Sequence, residues 1–282
     1  CDKAIIFKSL HSLMFSSGST SISAAIKLGS NPMVIRTIDL GGDKISHLLG
    51  NELEQNPELG WRAIRICLDN KDLFVTQLRA ILRTAADTEG NRIHVLFPMI
   101  SSLEELREAK AILSEVHDQM IKEGVKVPEH IKTGMMVEVP SVAIMADIYA
   151  KEVDFFAIGS NDLVQYTLAV DRTNPKVTHL YKPTNPAVLH LLSHIVEAAQ
   201  RNGISVCICG EIAGDTKYTV LLMGLGIREL SMNSVLIPSV KNIVRNVSLS
   251  DIKKRVSALL SMSSSEEIER ELAKINTKLG LL

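Results

Sequence analysis

From residue 34 onward the chain alternates short apolar runs of strand length with segments that have the spacing of amphipathic helices. Apolar strands that alternate with helices are buried on both faces in parallel sheets, so the pattern predicts an α/β fold. The predicted strands cover residues 34–40, 92–100, 132–140, 155–158, 205–211 and 229–236. The predicted helices cover residues 72–86, 102–123, 141–151, 163–170, 186–202, 214–223, 238–246, 250–261 and 264–279.

Two parallel architectures suit a chain of 282 residues, a closed (β/α)8 barrel and an open doubly wound sheet. The low aromatic content of 4% argues against a β-sandwich. No predicted strand is followed by the GxGxxG turn of dinucleotide-binding folds, which argues against the open sheet. A closed barrel needs two strands beyond the predicted ones, and little sequence precedes Val34 to supply them.

The charge balance argues against nucleic acid or an anionic membrane surface as a partner. The chain has 31 basic and 32 acidic residues, for a formal net charge of -1. No apolar run has the length of a membrane span, and the N-terminus does not resemble a signal peptide. The 4 cysteines form neither a disulfide framework nor a zinc motif, so a reducing cytoplasmic compartment is expected. Since the sequence opens on Cys1, we expect a fragment or a processed piece.

Polar and ionisable side chains concentrate at the carboxyl ends of the predicted strands. Parallel α/β folds place their functional sites at these ends. The strand ends carry Arg36, Asp39, the loop of residues 41–44, Glu138, Asn161, Asp162, Cys209 and Glu211.

Glu138 and Asp162 follow successive predicted strands, so their carboxylates could meet at a hard cation such as Mg2+. Other interpretations stay open for both. Asp162 precedes an apolar helical run and could be its N-cap. Glu138 could pair with an arginine, and the spacing supplies no third metal ligand.

Arg36 lies in an otherwise apolar strand, where an unpaired charge is unfavourable. Its partner could be an anionic ligand, or else Asp39 or Glu138, because a guanidinium suits phosphate and carboxylate equally. Arg62 and Arg65 have the spacing of one helix face, which more often marks a solvated surface pair.

Two cysteines share one side of the predicted strand at 205–211. Cys207 is expected to be an inert buried thiol. Cys209, at the rim, could be equally inert or could exchange a proton with a ligand.

Seven motifs, in order and closely spaced over residues 33–245, resemble one family. They are IRTIDLGGDK, NPELGWRAIR, VLFPMISSLEEL, GMMVEVPSVA, KEVDFFAIGSNDLVQYTLAVDR, HLYKPTNPAVL and CGEIAGD. They resemble the C-terminal phosphoenolpyruvate-binding domain of enzyme I of the bacterial phosphotransferase system. Pyruvate phosphate dikinase and phosphoenolpyruvate synthase share a related barrel, but QYTLAVDR and CGEIAGD favour enzyme I.

The resemblance implies a TIM-type (β/α)8 barrel that binds phosphoenolpyruvate and Mg2+. By motif match, Glu138 and Asp162 would be the metal ligands. Arg36, Arg62 and Arg172 would hold the phosphate and carboxylate of the substrate. Such groups suit phosphoryl transfer, which depends on positioning and charge neutralisation.

The same match implies that Asn161 and Asp162 contact the substrate and that Cys209 is the acid that protonates the enolate carbon as pyruvate forms. In the family the phosphoryl group passes to a histidine on a separate N-terminal domain and then to the carrier protein HPr, for sugar uptake. The family is cytoplasmic, and its C-terminal domain usually forms a homodimer.

The chain departs from the family at its N-terminus. The family has two barrel strands before the one at Val34, and the second carries a further arginine that aligns before Cys1. We therefore expect a barrel without its first two strands: a remnant at 1–32, the barrel at 33–247 and packed helices at 248–282. Without the histidine domain, this chain alone is not expected to complete the transfer.

Two other functions are compatible with the sequence. One is a non-catalytic module that binds phosphoenolpyruvate or only dimerises. The other is a barrel of the dikinase or synthase type, which requires an ATP-grasp domain elsewhere in the protein.

Overall fold

The structure is a computed structural model, and it describes residues 5–7, 31–39, 54–88 and 92–281. The strands are β1 (Ile5–Phe7), β2 (Met33–Arg36), β3 (Ile93–Phe97), β4 (Thr133–Val137), β5 (Phe155–Gly159), β6 (Ser205–Cys209) and β7 (Glu229–Ser231). The helices are α1 (Ile64–Asp69), α2 (Lys71–Ala86), α3 (Leu103–Lys122), α4 (Pro140–Ile144), α5 (Ala146–Tyr149), α6 (Ser160–Leu168), α7 (Pro186–Arg201), α8 (Glu211–Gly214), α9 (Thr216–Gly224), α10 (Ile237–Asn246), α11 (Leu249–Leu259) and α12 (Ser265–Lys278). Two 3-10 helices, Thr178–Leu180 and Ser234–Leu236, complete the described elements.

The chain divides into two compact units. The larger unit comprises Cys1–Lys8 and Val137–Leu282, and the smaller unit comprises Ser9–Met136. In the smaller unit β3 pairs in parallel with both β2 and β4. In the larger unit the parallel order is β1, β7, β6, β5. The predicted α/β fold with parallel strands is therefore confirmed, and it is consistent with part of a TIM-type barrel.

The interior strands and the longest helix have the burial that the sequence pattern predicts. Every residue of β4 and β5 is buried, as in a sheet that is covered on both faces. Helix α3 begins with a capping box, in which the Ser102 hydroxyl accepts the backbone N–H of Glu105 and the Glu105 side chain accepts that of Ser102. Leu106, Ala109 and Leu113 then form part of its buried face at helical spacing.

Several predicted elements differ from the observed ones. The strand predicted at 92–100 ends at Phe97, because the backbone turns at Met99, where φ is 57°. The helix predicted at 141–151 is two short helices that meet at Met145. Strand β1 was not predicted, and the loop at 41–44 lies outside the described residues.

The last helices belong to the larger unit and pack against its other helices. Gly224, at the end of α9, lies so close to α11 that a Cβ there would be 2.5 Å from the Cβ of Val256. Ile252, Val256 and Leu259 form the buried face of α11. Among the described residues, no helix is long and apolar enough to cross a lipid bilayer.

One carboxyl group in the larger unit makes stability depend on pH. Burial raises the pKa of Glu229 above its usual value of 4.5. Folding therefore favours the protonated form, and this contribution is lost as the pH rises through the raised pKa. We expect Glu229→Gln to raise the melting temperature at pH 7 and to leave it nearly unchanged near pH 4. Thermal unfolding at both pH values checks this, with the exposed Glu115→Gln as control. An equal effect of Glu229→Gln at both pH values would contradict it.

Candidate functional site

Glu138 follows β4 directly and is 2% exposed. Its side chain lies against Gly159, the last residue of β5. A Cβ at position 159 would be 2.9 Å from the Cβ of Glu138 and 3.1 Å from its carboxyl carbon. Gly159 has a φ of -81°, which any residue can adopt, so the backbone does not require glycine there. The glycine provides the space that the Glu138 carboxylate occupies.

Asp162 lies in the first turn of α6, which begins immediately after β5. The residue at the N-cap position is Gly159, so the N-cap interpretation of Asp162 is wrong. Ser160 is 1% exposed and Asp162 is 8% exposed, so this polar turn is packed inside the unit. The amino end of a helix favours negative charge, which suits a carboxylate or a bound anion near this turn.

Arg172 returns toward this turn after α6 ends. Ala169 ends the helix in the left-handed conformation, with a φ of 53°. The backbone N–H of Arg172 donates to the Gln165 side chain at 3.1 Å. Its guanidinium donates to the Glu211 carboxylate at 3.2 Å, and both of these side chains are exposed. The sequence pattern missed Glu211 as the partner because 39 residues separate the two.

Cys209 is the last residue of β6, in register with Gly159 on β5. Its thiol donates to the backbone carbonyl of Ile158 at 3.2 Å, so the thiol carries a proton in this arrangement. Burial raises the pKa of the Cys207 thiol well above its ordinary value, which agrees with an inert interior cysteine. The two cysteines of this strand therefore differ in their surroundings.

Asn161 is held from two sides. Its side-chain oxygen accepts the backbone N–H of Glu211 at 3.0 Å, and its backbone oxygen accepts the Tyr181 hydroxyl at 3.3 Å. Burial raises the pKa of Tyr181, so its phenol is a neutral donor at neutral pH. Sequence reasoning did not select Tyr181, and no spacing signal marks it.

In the smaller unit one carboxylate holds two arginines. Asp39, whose side chain is 5% exposed, accepts from Arg36 at 2.8 Å and from Arg62 at 2.9 Å. Arg62 also pairs with Glu58. Of the partners considered for Arg36, the structure gives Asp39, and Arg36 Nη1 also lies 3.7 Å from the sulfur of Met136.

The spacing of Arg62 and Arg65 suggested one solvated helix face, and this interpretation is wrong for Arg62. Helix α1 begins only at Ile64, and Ala63 has a φ of 53° that turns the backbone between the two arginines. Arg62 is 6% exposed, whereas Arg65 donates to the backbone oxygens of Leu59 and Gly60. The two arginines therefore have different environments and different partners.

The donor set of the larger unit fits magnesium. Among the described residues, no group of three or more His, Cys, Asp or Glu side chains is arranged to hold a metal ion. Glu138 and Asp162 are two buried carboxylates, and Gly159 leaves room for the first of them. Magnesium is usually bound through one or two carboxylates, with water and substrate phosphate as its other ligands. Two carboxylates are therefore sufficient for this ion.

The chain is similar to known proteins over most of its length. Residues 18–249 match the model of a family described as PEP-utilising enzyme, PEP-binding domain. A relative from Priestia megaterium named phosphoenolpyruvate-protein phosphotransferase is 49% identical over 242 residues, which cover 86% of this chain and 42% of the relative. Relatives of the same name are 46% identical in Bacillus subtilis, over 86% of this chain and 42% of the relative, and 46% identical in Haemophilus influenzae, over 84% and 41%.

The matched relatives are much longer, since this chain spans about two fifths of their length (42% for the first). A solved structure described as a citrate lyase from Burkholderia xenovorans is similar in fold. It has a TM-score of 0.50 at 13% identity and covers 99% of this chain and 92% of its own. At that identity the likeness concerns the fold alone.

Proposed function

The chain belongs to the PEP-utilising enzyme family through its PEP-binding domain, and on that premise we propose that it binds phosphoenolpyruvate with Mg2+ for phosphoryl transfer. It would be the substrate-binding part of an enzyme I of the phosphotransferase system. One observation supports this proposal more strongly than any other. The family match at 18–249 contains all of the proposed site residues, which are Arg36, Arg62, Glu138, Asn161, Asp162, Arg172 and Cys209.

The arginines are proposed to hold the anionic groups of the substrate. Arg36, Arg62 and Arg172 match the family positions that contact its phosphate and carboxylate, and a guanidinium can bind either group through two hydrogen bonds. Arg36 and Arg62 are oriented by Asp39. Such orientation supports the proposal, because arginines fixed before binding lose less conformational entropy on contact with the ligand.

Glu138 and Asp162 are the residues proposed to hold Mg2+, with Asp162 and Asn161 also close to the substrate. When bound, the ion would neutralise charge on the phosphoryl oxygens and on the enolate that departs. Both carboxylates are buried close to the carboxyl ends of β4 and β5, and this supports the assignment, because Mg2+ is usually bound through one or two carboxylates.

Cys209 is proposed to deliver the proton that completes pyruvate. Once the phosphoryl group has left, the C=C electron pair of the enolate forms a C–H bond with the thiol proton. The enolate oxygen becomes the ketone, and the sulfur is left as a thiolate. The thiol that donates to the Ile158 carbonyl is in the protonated form that this step requires.

The remaining proposals concern the protein of which this chain is part. We propose that the phosphoryl group passes to a histidine on a separate domain and then to HPr, and that the protein is a cytoplasmic homodimer. We also propose that residues 33–247 belong to a (β/α)8 barrel. The helices at 248–282 would pack on this barrel, and the contact between Gly224 and Val256 supports that packing.

The direct test is calorimetry of phosphoenolpyruvate binding with and without Mg2+. We expect binding only with Mg2+, and Asp162→Asn should weaken it by about tenfold, because the amide keeps an oxygen ligand but loses the charge. Asp147→Asn is the matched control, since that carboxylate pairs with Arg201 on the surface. Absence of Mg2+-dependent binding, or equal binding by Asp162→Asn and Asp147→Asn, would contradict the proposal.

A further inference from the structure

Three hydrogen bonds join residues 158–161, where β5 continues into α6, to residues 209–211, where β6 continues into α8, within the larger unit. The Ser160 hydroxyl donates to the backbone oxygen of Cys209 at 2.6 Å. The Glu211 backbone N–H donates to the Asn161 side chain at 3.0 Å, and the Cys209 thiol donates to the backbone oxygen of Ile158 at 3.2 Å. We call this set of contacts the clasp. It connects the proposed proton donor with the proposed substrate-binding turn.

Ser160 is the part of the clasp that reaches Cys209 directly through a side chain. Ser160 is 1% exposed, so its hydrogen bond of 2.6 Å to the Cys209 carbonyl is shielded from water. Register places Cys209 opposite Gly159, one residue before Ser160. The hydroxyl therefore fixes the backbone of Cys209 at the point where the sheet pairing of β6 ends.

Gly210 allows the clasp to close. Its φ is +100°, a conformation that L side chains rarely adopt. A Cβ on this residue would be 2.7 Å from the Asn161 side-chain oxygen and closer still to the Ser160 hydroxyl oxygen. Both side chains consequently pack against the bare backbone of residue 210, and their positions are set together.

The clasp also fixes which way the Asn161 amide faces. A backbone N–H is a donor, so its partner on Asn161 is the amide oxygen and not the nitrogen. The amide nitrogen remains the donor that an anionic ligand can accept from. The same contacts that hold Cys209 thus set the hydrogen-bonding face of the neighbouring site residue.

From this geometry we propose that Ser160 is a positioning residue for the Cys209 thiol. This proposal rests on the proposed function, in which Cys209 delivers a proton to the enolate carbon. The Ser160 hydroxyl keeps the thiol at a fixed place relative to Asn161, so that the S–H bond breaks as the new C–H bond forms. In this proposal Cys209 and not Ser160 is the proton donor, and the Ser160 hydroxyl acts only through its hydrogen bond to the Cys209 carbonyl.

The test compares variants with and without the hydroxyl at position 160. Ser160→Thr keeps the hydroxyl, Ser160→Val has the shape of Thr with a methyl group in place of the hydroxyl, and Ser160→Ala removes the hydroxyl without adding atoms. In the full-length protein with Mg2+, phosphoenolpyruvate and HPr, pyruvate formation should slow by about tenfold in the Val and Ala variants, with a larger solvent deuterium isotope effect. The Thr variant should restore the rate. Calorimetric affinity for phosphoenolpyruvate should fall by a smaller factor than the rate does in the Val and Ala variants.

A double-mutant cycle separates positioning from a general structural role. If Ser160 acts through the thiol, then Ser160→Ala should cause no further slowing in a Cys209→Ala background. Additional slowing there by the same factor would overturn the proposal. So would a wild-type rate in Ser160→Ala.

A measurement without substrate keeps this inference separate from the proposed function. Mass spectrometry can follow the rate at which iodoacetamide alkylates Cys209. This rate should differ from the wild-type rate by at least about threefold in Ser160→Ala and Ser160→Val, but not in Ser160→Thr. The buried Cys67 is the internal reference. If the wild type neither binds phosphoenolpyruvate nor forms pyruvate, the proposed function fails, and the alkylation rates still decide whether Ser160 positions the thiol. Equal rates in all variants would overturn the positioning role.

Discussion

Replacing Gly159 with alanine is expected to weaken Mg2+-dependent binding of phosphoenolpyruvate by about a hundredfold. The added Cβ would be 2.9 Å from the Cβ of Glu138 and 3.1 Å from its carboxyl carbon. Glu138 is 2% exposed and every residue of β5 is buried, so the site has no spare room for the added Cβ. The Glu138 carboxylate therefore has to move from its place. Since Glu138 is a proposed metal ligand, its displacement removes half of the carboxylate donors.

The effect should come from the carboxylate and not from the backbone. Gly159 has a φ of -81°, so alanine is conformationally permitted there. Gly203→Ala is the opposite control, because residue 203 has open space for a Cβ but a φ of +70°. That control should lose about 1 kcal/mol of stability and keep its ligand affinity. Calorimetry measures both variants, and unchanged affinity in Gly159→Ala would refute this role for Glu138.

Removing the carboxylate of Asp39 is expected to lower the free energy of unfolding by about 3 to 5 kcal/mol. Asp39 pairs with both Arg36 and Arg62, and the side chains of Asp39 and Arg62 are 5% and 7% exposed. Asp39→Ala would leave two guanidinium groups without this partner in a site that is largely shielded from water. The loss of a buried partner is far more costly than the loss of a surface one.

Urea unfolding of Asp39→Ala beside Asp147→Ala checks this expectation. Asp147 pairs with Arg201 at 2.7 Å, but both of those side chains are exposed, so its loss should cost far less than the loss of Asp39. Asp39→Ala should also weaken phosphoenolpyruvate binding, because it frees the proposed phosphate-binding arginines to adopt other rotamers. Equal destabilisation by the two alanine variants would show that the Asp39 pairs are worth no more than surface pairs.

The sequence was most informative where local pattern decides structure. The apolar runs predicted β3, β4 and β5, and the helix predicted at 102–123 begins within one residue of α3. The predicted ends of the strands were less accurate. The predicted strands run past the last residue that pairs in the sheet, because the polar residues that follow do not interrupt the pattern of the sequence. The break between α4 and α5 at Met145 was not predicted, because no Pro or Gly at that point indicates the end of a helix.

Pairings between distant residues could not be predicted from spacing. Arg62 looked like one half of a surface pair, because the turn at Ala63 and the partner 23 residues earlier leave no local signal. The sequence pattern assigned no role to Gly159, whereas its role depends on Glu138, which follows another strand. Motif resemblance selected the site residues without giving their partners, and it did not select Ser160.

The clasp has a consequence for attempts to transplant this site into another protein. Its hydrogen bonds link backbone atoms of one segment to side chains of the other, so neither segment carries its geometry alone. A graft that exchanges residues 155–168 without residues 205–214 would import Ser160 and Asn161 without the backbone against which they fit. The two segments therefore form one inseparable module, although Cys209 follows Ser160 by 49 positions in the chain.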